Sequence, residues 1–184
     1  MKNLYQQFKP FLLFLGKFLL SYLVLTFIYQ WYLNQFVAAT FEVDGFTKIV
    51  ANQTEGIMKL FGCDAFVKKN SQEASVNLFY NQKWVARIVE GCNALSIIIL
   101  FISFVISFSG KIKTTILFIL TGSLLIHAVN VVRIALLAVL IYNYPMYESF
   151  LHDVLFPLII YGFVFFLWVF WVNNFSKYAS KSFK

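Results

Sequence analysis

Four runs of nearly uninterrupted apolar residues set the frame of this chain: Phe11 to about Leu33, Ala94 to Phe108, Ile112 to Tyr144, and Val154 to Val172. Runs of roughly 20 apolar residues read as helices that use the bilayer as solvent. The first run is longer than the ~7–15-residue core of a cleaved leader, and no clean small-x-small site follows it. Ala38-Ala39 is the nearest candidate, so the run reads as a retained helix. The third run has 33 residues. As one straight helix it would span about 50 Å at ~1.5 Å per residue, against a hydrocarbon core of about 30 Å. The pattern therefore predicts a crossing from about Lys113 to Asn130. A second helical part, about Val131 to Tyr144, is expected to be tilted, interfacial or packed against the bundle. Two short crossings are the alternative, and they would reverse the side of everything that follows.

Between the first two runs the periodicity changes. Phe46, Ile49, Val50, Ile57, Leu60 and Phe61 recur at approximate helical spacing. Ala74 to Tyr80 and Trp84 to Val89 alternate on either side of Asn81-Gln82-Lys83, which reads as a β-hairpin. The chain is thus expected to be an all-α polytopic membrane protein. It would have about four transmembrane helices, a helical extension near the outer interface and a small extracytoplasmic insertion. Its parts are residues 1–33, an N-terminal transmembrane helix; 34–91, an extracytoplasmic segment; and 92–184, a membrane core.

Composition agrees: 60% of residues are hydrophobic and 12% charged, where globular proteins carry about 25% charged. Charge placement then orients the helices. Lys2 and Lys9 precede the first run, Lys111 and Lys113 separate the second and third, and Lys177, Lys181 and Lys184 follow the fourth. None of these segments holds an acid; all eight fall elsewhere. The positive-inside rule puts both termini and the Lys111/Lys113 turn in the cytoplasm and residues 34–91 outside. Tyr29, Trp31 and Tyr32, Tyr142, Tyr144 and Tyr147, and Trp168 and Trp171 look like interfacial belts. The pI of 9.4 reads as membrane sidedness, since the basic residues form no nucleic-acid stripe. No metal cluster, phosphate loop or cofactor motif is visible.

With four crossings, three chemically capable residues fall near the outer face: Cys92, Arg133 and His152. An arginine inside a helix such as Ala128–Leu137 costs at least ~2.5–3.5 kcal/mol to insert. It is retained at an interface, with a partner, or in a polar cavity. Its bland reading is snorkelling to the headgroups; its functional one is an electrophilic clamp for an oxyanion. Asn130, three residues earlier, lies on nearly the same face and is a candidate to orient it. Cys92 reads either as a nucleophile at a helix start, where the dipole favours a thiolate, or as half of a Cys63–Cys92 disulfide. Glu90 is placed to orient or cap its turn. His152 is the candidate base. His127, deeper in the membrane, reads as an interhelical hydrogen bond, and Asp153 as an N-terminal cap.

Glu90-Gly91-Cys92-Asn93-Ala94-Leu95, Asn130-Val131-Val132-Arg133-Ile134 and His152 at the head of the last helix resemble, in order, the three elements of the exosortase/archaeosortase family. Size and sequence most resemble the exosortase F branch of Bacteroidetes. The resemblance covers about residues 85 to 172. Asn93-Ala94 stands where the family more often has Ser-Gly, and about four crossings stand where many members have about eight. The resemblance implies a cysteine transpeptidase or protease of the bacterial inner membrane, with Cys92, Arg133 and His152 catalytic and Glu90 and Asn130 supporting. Its substrates would be proteins bearing a C-terminal sorting tail with a transmembrane helix. The lipid bilayer and an accessory membrane protein are the further implied partners; no cofactor and no nucleic acid are. The competing reading is a non-catalytic assembly or scaffold protein stapled by Cys63–Cys92.

Overall fold

The computed structural model describes residues 2–36, 41–108 and 110–175. Ala38-Ala39 and the lysines at 177, 181 and 184 lie outside them. The elements in chain order are α1 (Lys2–Leu33), α2 (Gly45–Leu60), β1 (Ala65–Lys69), β2 (Val76–Tyr80), β3 (Lys83–Ile88), α3 (Leu95–Ser107), α4 (Ile112–Asn143) and α5 (Phe156–Asn174). The chain is mainly helical, as its pattern implies.

α1, α3, α4 and α5 run alternately up and down. The Phe14 ring meets Phe104 and Phe108 at 5.9 and 4.5 Å, and the Asn93 amide reaches the Tyr29 hydroxyl at 3.1 Å. α1 and α3 are therefore antiparallel. Phe101 meets Phe118 at 5.8 Å, while the Asn130 amide donates to the Cys92 carbonyl at 2.7 Å, so α4 reverses again. Trp168 stacks on Phe104 at 4.3 Å and the Trp171 indole donates to the Phe108 carbonyl, which sets α5 parallel to α3. Phe101, Val105, Ile126, Val164 and Trp171 share one core of the bundle. In lipid such a core is held by close packing rather than by escape from water. Gly122 makes that approach possible, because a Cβ there would stand 2.4 Å from the Phe101 ring.

Among the described residues, three helical stretches are long and apolar enough to cross a membrane: Phe8–Leu33, Ile112–Asn143 and Pro145–Asn174. α3 has only 13 residues, or about 20 Å of helix at ~1.5 Å per residue. It nevertheless runs beside α1 from the level of Tyr29 to that of Phe14. The expected four crossings thus become three full-length spans and one short companion. Two of the expected belt residues face inward. Tyr29 and Trp171 are both buried.

The predicted break near Asn130 does not occur. α4 is one continuous helix of 32 residues. Its outer part is covered by the insertion: Val131, Ile134, Ala135 and Ala138 share a core with Val43, Val50, Ala51, Met58, Leu78 and Ile88. That apolar sleeve covers the second half of the helix and supports it as one piece.

The insertion folds as a helix on a three-stranded antiparallel sheet of order β1-β2-β3. The helix matches the expected span and is capped by Asp44, whose side chain accepts from the Thr47 amide at 3.0 Å. The predicted hairpin is β2–β3, turning on Asn81 and Gln82, both left-handed at φ 48 and 62; Lys83 already belongs to β3. β1 was not apparent from the pattern. A bulge between Leu78 and Phe79 shifts the register against β3. Tyr80 packs on Tyr142 at 4.8 Å, and Lys83 lies over the same ring, fixing the sheet to the outer end of α4.

Candidate active site

Val89 leaves the sheet and the chain makes one 3-10 turn, Glu90–Cys92. Asn93 and Ala94 follow before α3 begins, and Ala94 is left-handed at φ 61, ψ 8. The expectation that Cys92 opens the helix is therefore corrected. A left-handed residue cannot continue a right-handed helix, so the thiol sits three residues before α3 and gains no direct contact with its N-terminus. Asn93, not Glu90, serves that end: its side-chain oxygen accepts from the Leu95 amide at 2.9 Å. Left-handed backbone favours glycine, and position 94 is where the resembling pattern more often has one.

The turn is pinned from three sides. The Tyr29 hydroxyl donates to the Glu90 carboxylate, and the Asn93 amide donates to Tyr29 at 3.1 Å and to the Thr47 hydroxyl at 3.4 Å. From α4, the buried Asn130 amide holds the Cys92 carbonyl. Its other atom, Oδ1, accepts from Arg133 Nη1 at 3.3 Å. One side chain thus orients both the cysteine turn and the guanidinium, as i and i+3 on one helix face permit. Arg133 is half-buried, and its Nε has no hydrogen-bond partner among the described residues.

Downstream of α4 the chain is helical from Pro145, so α5 is entered earlier than the pattern predicted. Leu151–Leu155 forms a π turn. Asp153 is inside it and caps nothing; its carboxylate instead meets His152 Nδ1 at 2.7 Å. A π turn inserts an extra residue into the helical register and often marks a functional position. Here it carries His152 toward the gap between α4 and the sheet.

That gap is a cleft of about 490 Å³. One wall is the whole run Trp84–Ile88 of β3, which is an edge strand. Cys92, Arg133, Leu137, Glu148 and His152 line the rest of it. The three candidate catalytic residues therefore border one cavity. Glu90 faces Tyr29 and lies outside that lining, and His127 points elsewhere, its Nε2 meeting Gln53 of α2 at 2.6 Å. It makes an interhelical bond as expected, but to the outer insertion. Cys63 and Cys92 are both free thiols; Cys63 contacts the Tyr80 hydroxyl. On its lipid side Arg133 also borders an apolar groove between Val132 and Leu136 of α4 and Phe156 and Ile159 of α5. Tyr29, Asn93, Glu148 and the β3 edge were missed as site residues. Only the aromatic cluster at Tyr29 gave any signal.

Chemically, the cleft joins a thiol, an imidazole with one nitrogen engaged by a carboxylate, and a cation with a spare donor. This is the outline of nucleophile, base and oxyanion stabiliser in acyl transfer. No titratable cluster fit for a metal occurs among the described residues.

No curated protein and no solved structure matches the chain. The model of one family, transmembrane exosortase (EpsH), matches residues 9–175. That range runs from the second turn of α1 to the end of α5 and takes in the cysteine turn, the Asn130–Arg133 pair and the π turn. A polytopic helical chain matched over nearly its whole length in this way belongs to the transmembrane exosortase family.

Proposed function

We propose that the protein is a membrane cysteine transpeptidase or protease. It processes proteins with a C-terminal sorting signal at the outer face of the bacterial inner membrane, with both of its own termini in the cytoplasm. The observation that carries this reading is the single cleft bordered by Cys92, Arg133 and His152.

In the proposed reaction the substrate peptide lies extended along β3, the edge strand of the sheet, and adds to it as a further strand. The transmembrane part of its tail occupies the lipid-side groove at Val132 and Ile159. His152 takes the proton from Cys92, with Asp153 holding the imidazole by Nδ1. The sulfur attacks the scissile carbonyl, and the oxyanion meets Arg133, which Asn130 holds in place. His152 returns the proton to the leaving amine as the C–N bond breaks. The thioester on Cys92 then passes to water, or to an amine or hydroxyl acceptor, regenerating the thiol.

The test is to trap that thioester. Full-length protein in native membranes is quenched in acid, and Cys92-containing fragments are weighed. A peptide adduct on Cys92, released by hydroxylamine and absent from Cys92→Ala, is the expected result. An unmodified Cys92, together with undiminished processing in Cys92→Ala, would overturn the mechanism. A quantitative Cys63–Cys92 bridge in those membranes would favour the scaffold reading.

A further inference from the structure

α2 has three faces, and the mechanism uses only one. Val50, Thr54 and Met58 are buried against the sheet and α4. Lys48, Asn52, Glu55 and Lys59 form a polar face, with Lys59 and Glu55 paired at 2.5 Å. The third face is apolar and uncovered. Phe46, Ile49 and Leu60 are 44%, 48% and 82% exposed and share one stripe with Gln53, at i, i+3, i+7 and i+14.

The position of this stripe is fixed by two contacts. At its start the Phe46 ring meets Tyr32 of α1 at 5.6 Å, beside the exposed Phe27 and Trp31. At its middle Gln53 bonds His127. His127 is the sixteenth residue of α4, about 22 Å from its start at ~1.5 Å per residue. The hydrocarbon core is about 30 Å thick. A helix that touches α4 at that depth is within the outer leaflet, not above it.

We infer that α2 is not a water-borne element but an interfacial helix lodged in the outer leaflet, with acyl chains as the occupant of the Phe46–Ile49–Leu60 stripe. Lys48 and Lys59 extend up to the headgroups, as long cationic side chains do at interfaces. The Gln53–His127 bond gives the one polar side chain of the stripe a hydrogen-bond partner. Through Thr47, which holds Asn93, the same helix supports the cysteine turn. The cleft is thereby set at the membrane surface. This inference stands apart from the catalytic assignment.

The test is spin-label accessibility of the full chain in liposomes of phosphatidylethanolamine and phosphatidylglycerol. Single labels are placed at Ile49→Cys, Leu60→Cys and Lys48→Cys in a background lacking both native cysteines, with Leu124→Cys on α4 as the lipid reference. At Ile49 and Leu60 the ratio of oxygen to nickel-chelate collisions is expected to match Leu124 and to exceed that at Lys48 several-fold. Equal nickel access at Ile49, Leu60 and Lys48 would overturn the inference and place α2 in water. Low access to both reagents, with dipolar broadening between labels, would overturn it in favour of a second copy. Two independent stripe positions guard against one label disturbing the fold.

Discussion

Each polar group at the catalytic turn has a distinct task, and substitution should separate them. Cys92→Ala removes the proposed nucleophile, and processing should fall to background with insertion unchanged. His152→Ala should cost about 10²–10⁴-fold, the usual range for a positioned acid–base group. Arg133→Ala should cost about 10²–10³-fold, as loss of an oxyanion donor does. Arg133→Lys should be nearly as poor, because an ammonium has neither the planar fork nor the reach to keep Asn130 and an oxyanion together. His127→Ala should retain measurable turnover, since its ring faces Gln53; processing assays on all five variants decide the assignment. Ala94 offers a test of backbone rather than chemistry. Ala94→Gly should leave stability within about 1 kcal/mol, while Ala94→Val should cost about 2 kcal/mol or more, because a β-branched residue resists positive φ. Melting in detergent reads both. Cys92, Arg133 and Asn130 were legible in the sequence because polar groups in apolar runs are costly and therefore informative. Tyr29 and Asn93 were not, because a long-range bond such as Tyr29 to Glu90 leaves no periodic trace.

Among the elements, the helices were legible from the apolar runs and α2 from its spacing. The errors share one physical cause. Tertiary cover is invisible to hydropathy. α4 looked too long for one piece because the sleeve that shields Val131–Ala138, from Val43 to Ile88, lies far upstream in the chain. β1 was overlooked because its short Ala65–Lys69 run carries two lysines and alternates weakly. The π turn had no signature, and the pattern instead suggested a cap at Asp153. Two predictions belong here. Gly122→Leu should force Phe101 aside and part α3 from α4, lowering stability by about 1–3 kcal/mol, as overpacking does; detergent melting with Gly16→Leu as the lipid-facing control checks it. Deleting Val154 should close the π turn and rotate His152 by about 100° against α5, one residue's worth of a 3.6-residue turn. Turnover should then drop as far as in His152→Ala while the melting temperature stays near that of the parent. Unchanged turnover would show that the π turn does not aim the histidine.

For the molecule as a whole, orientation is the first property to check. Impermeant thiol labelling of full-length chains should modify Lys83→Cys from outside and Lys113→Cys only after the membrane is opened. The reverse result would invert every element described above. A further property follows from α4 being a single unbroken rod. On the proposed function, the first half of α4 lies in lipid and its second half carries Arg133 and the wall of the sheet, so the height of the Cys92 thiol above the bilayer midplane is a fixed length. The protein would then act as a ruler, cutting a membrane-anchored chain only at the bond that its anchor presents at that height. Lengthening a substrate by one helical turn, about 5.4 Å, between its cleavage point and its membrane segment should abolish processing without altering a single recognised side chain. In thicker bilayers, where mismatch costs a fraction of a kcal/mol per ångström, the preferred cut should move toward the anchor. Selectivity in this protein would then reside in distance as much as in sequence.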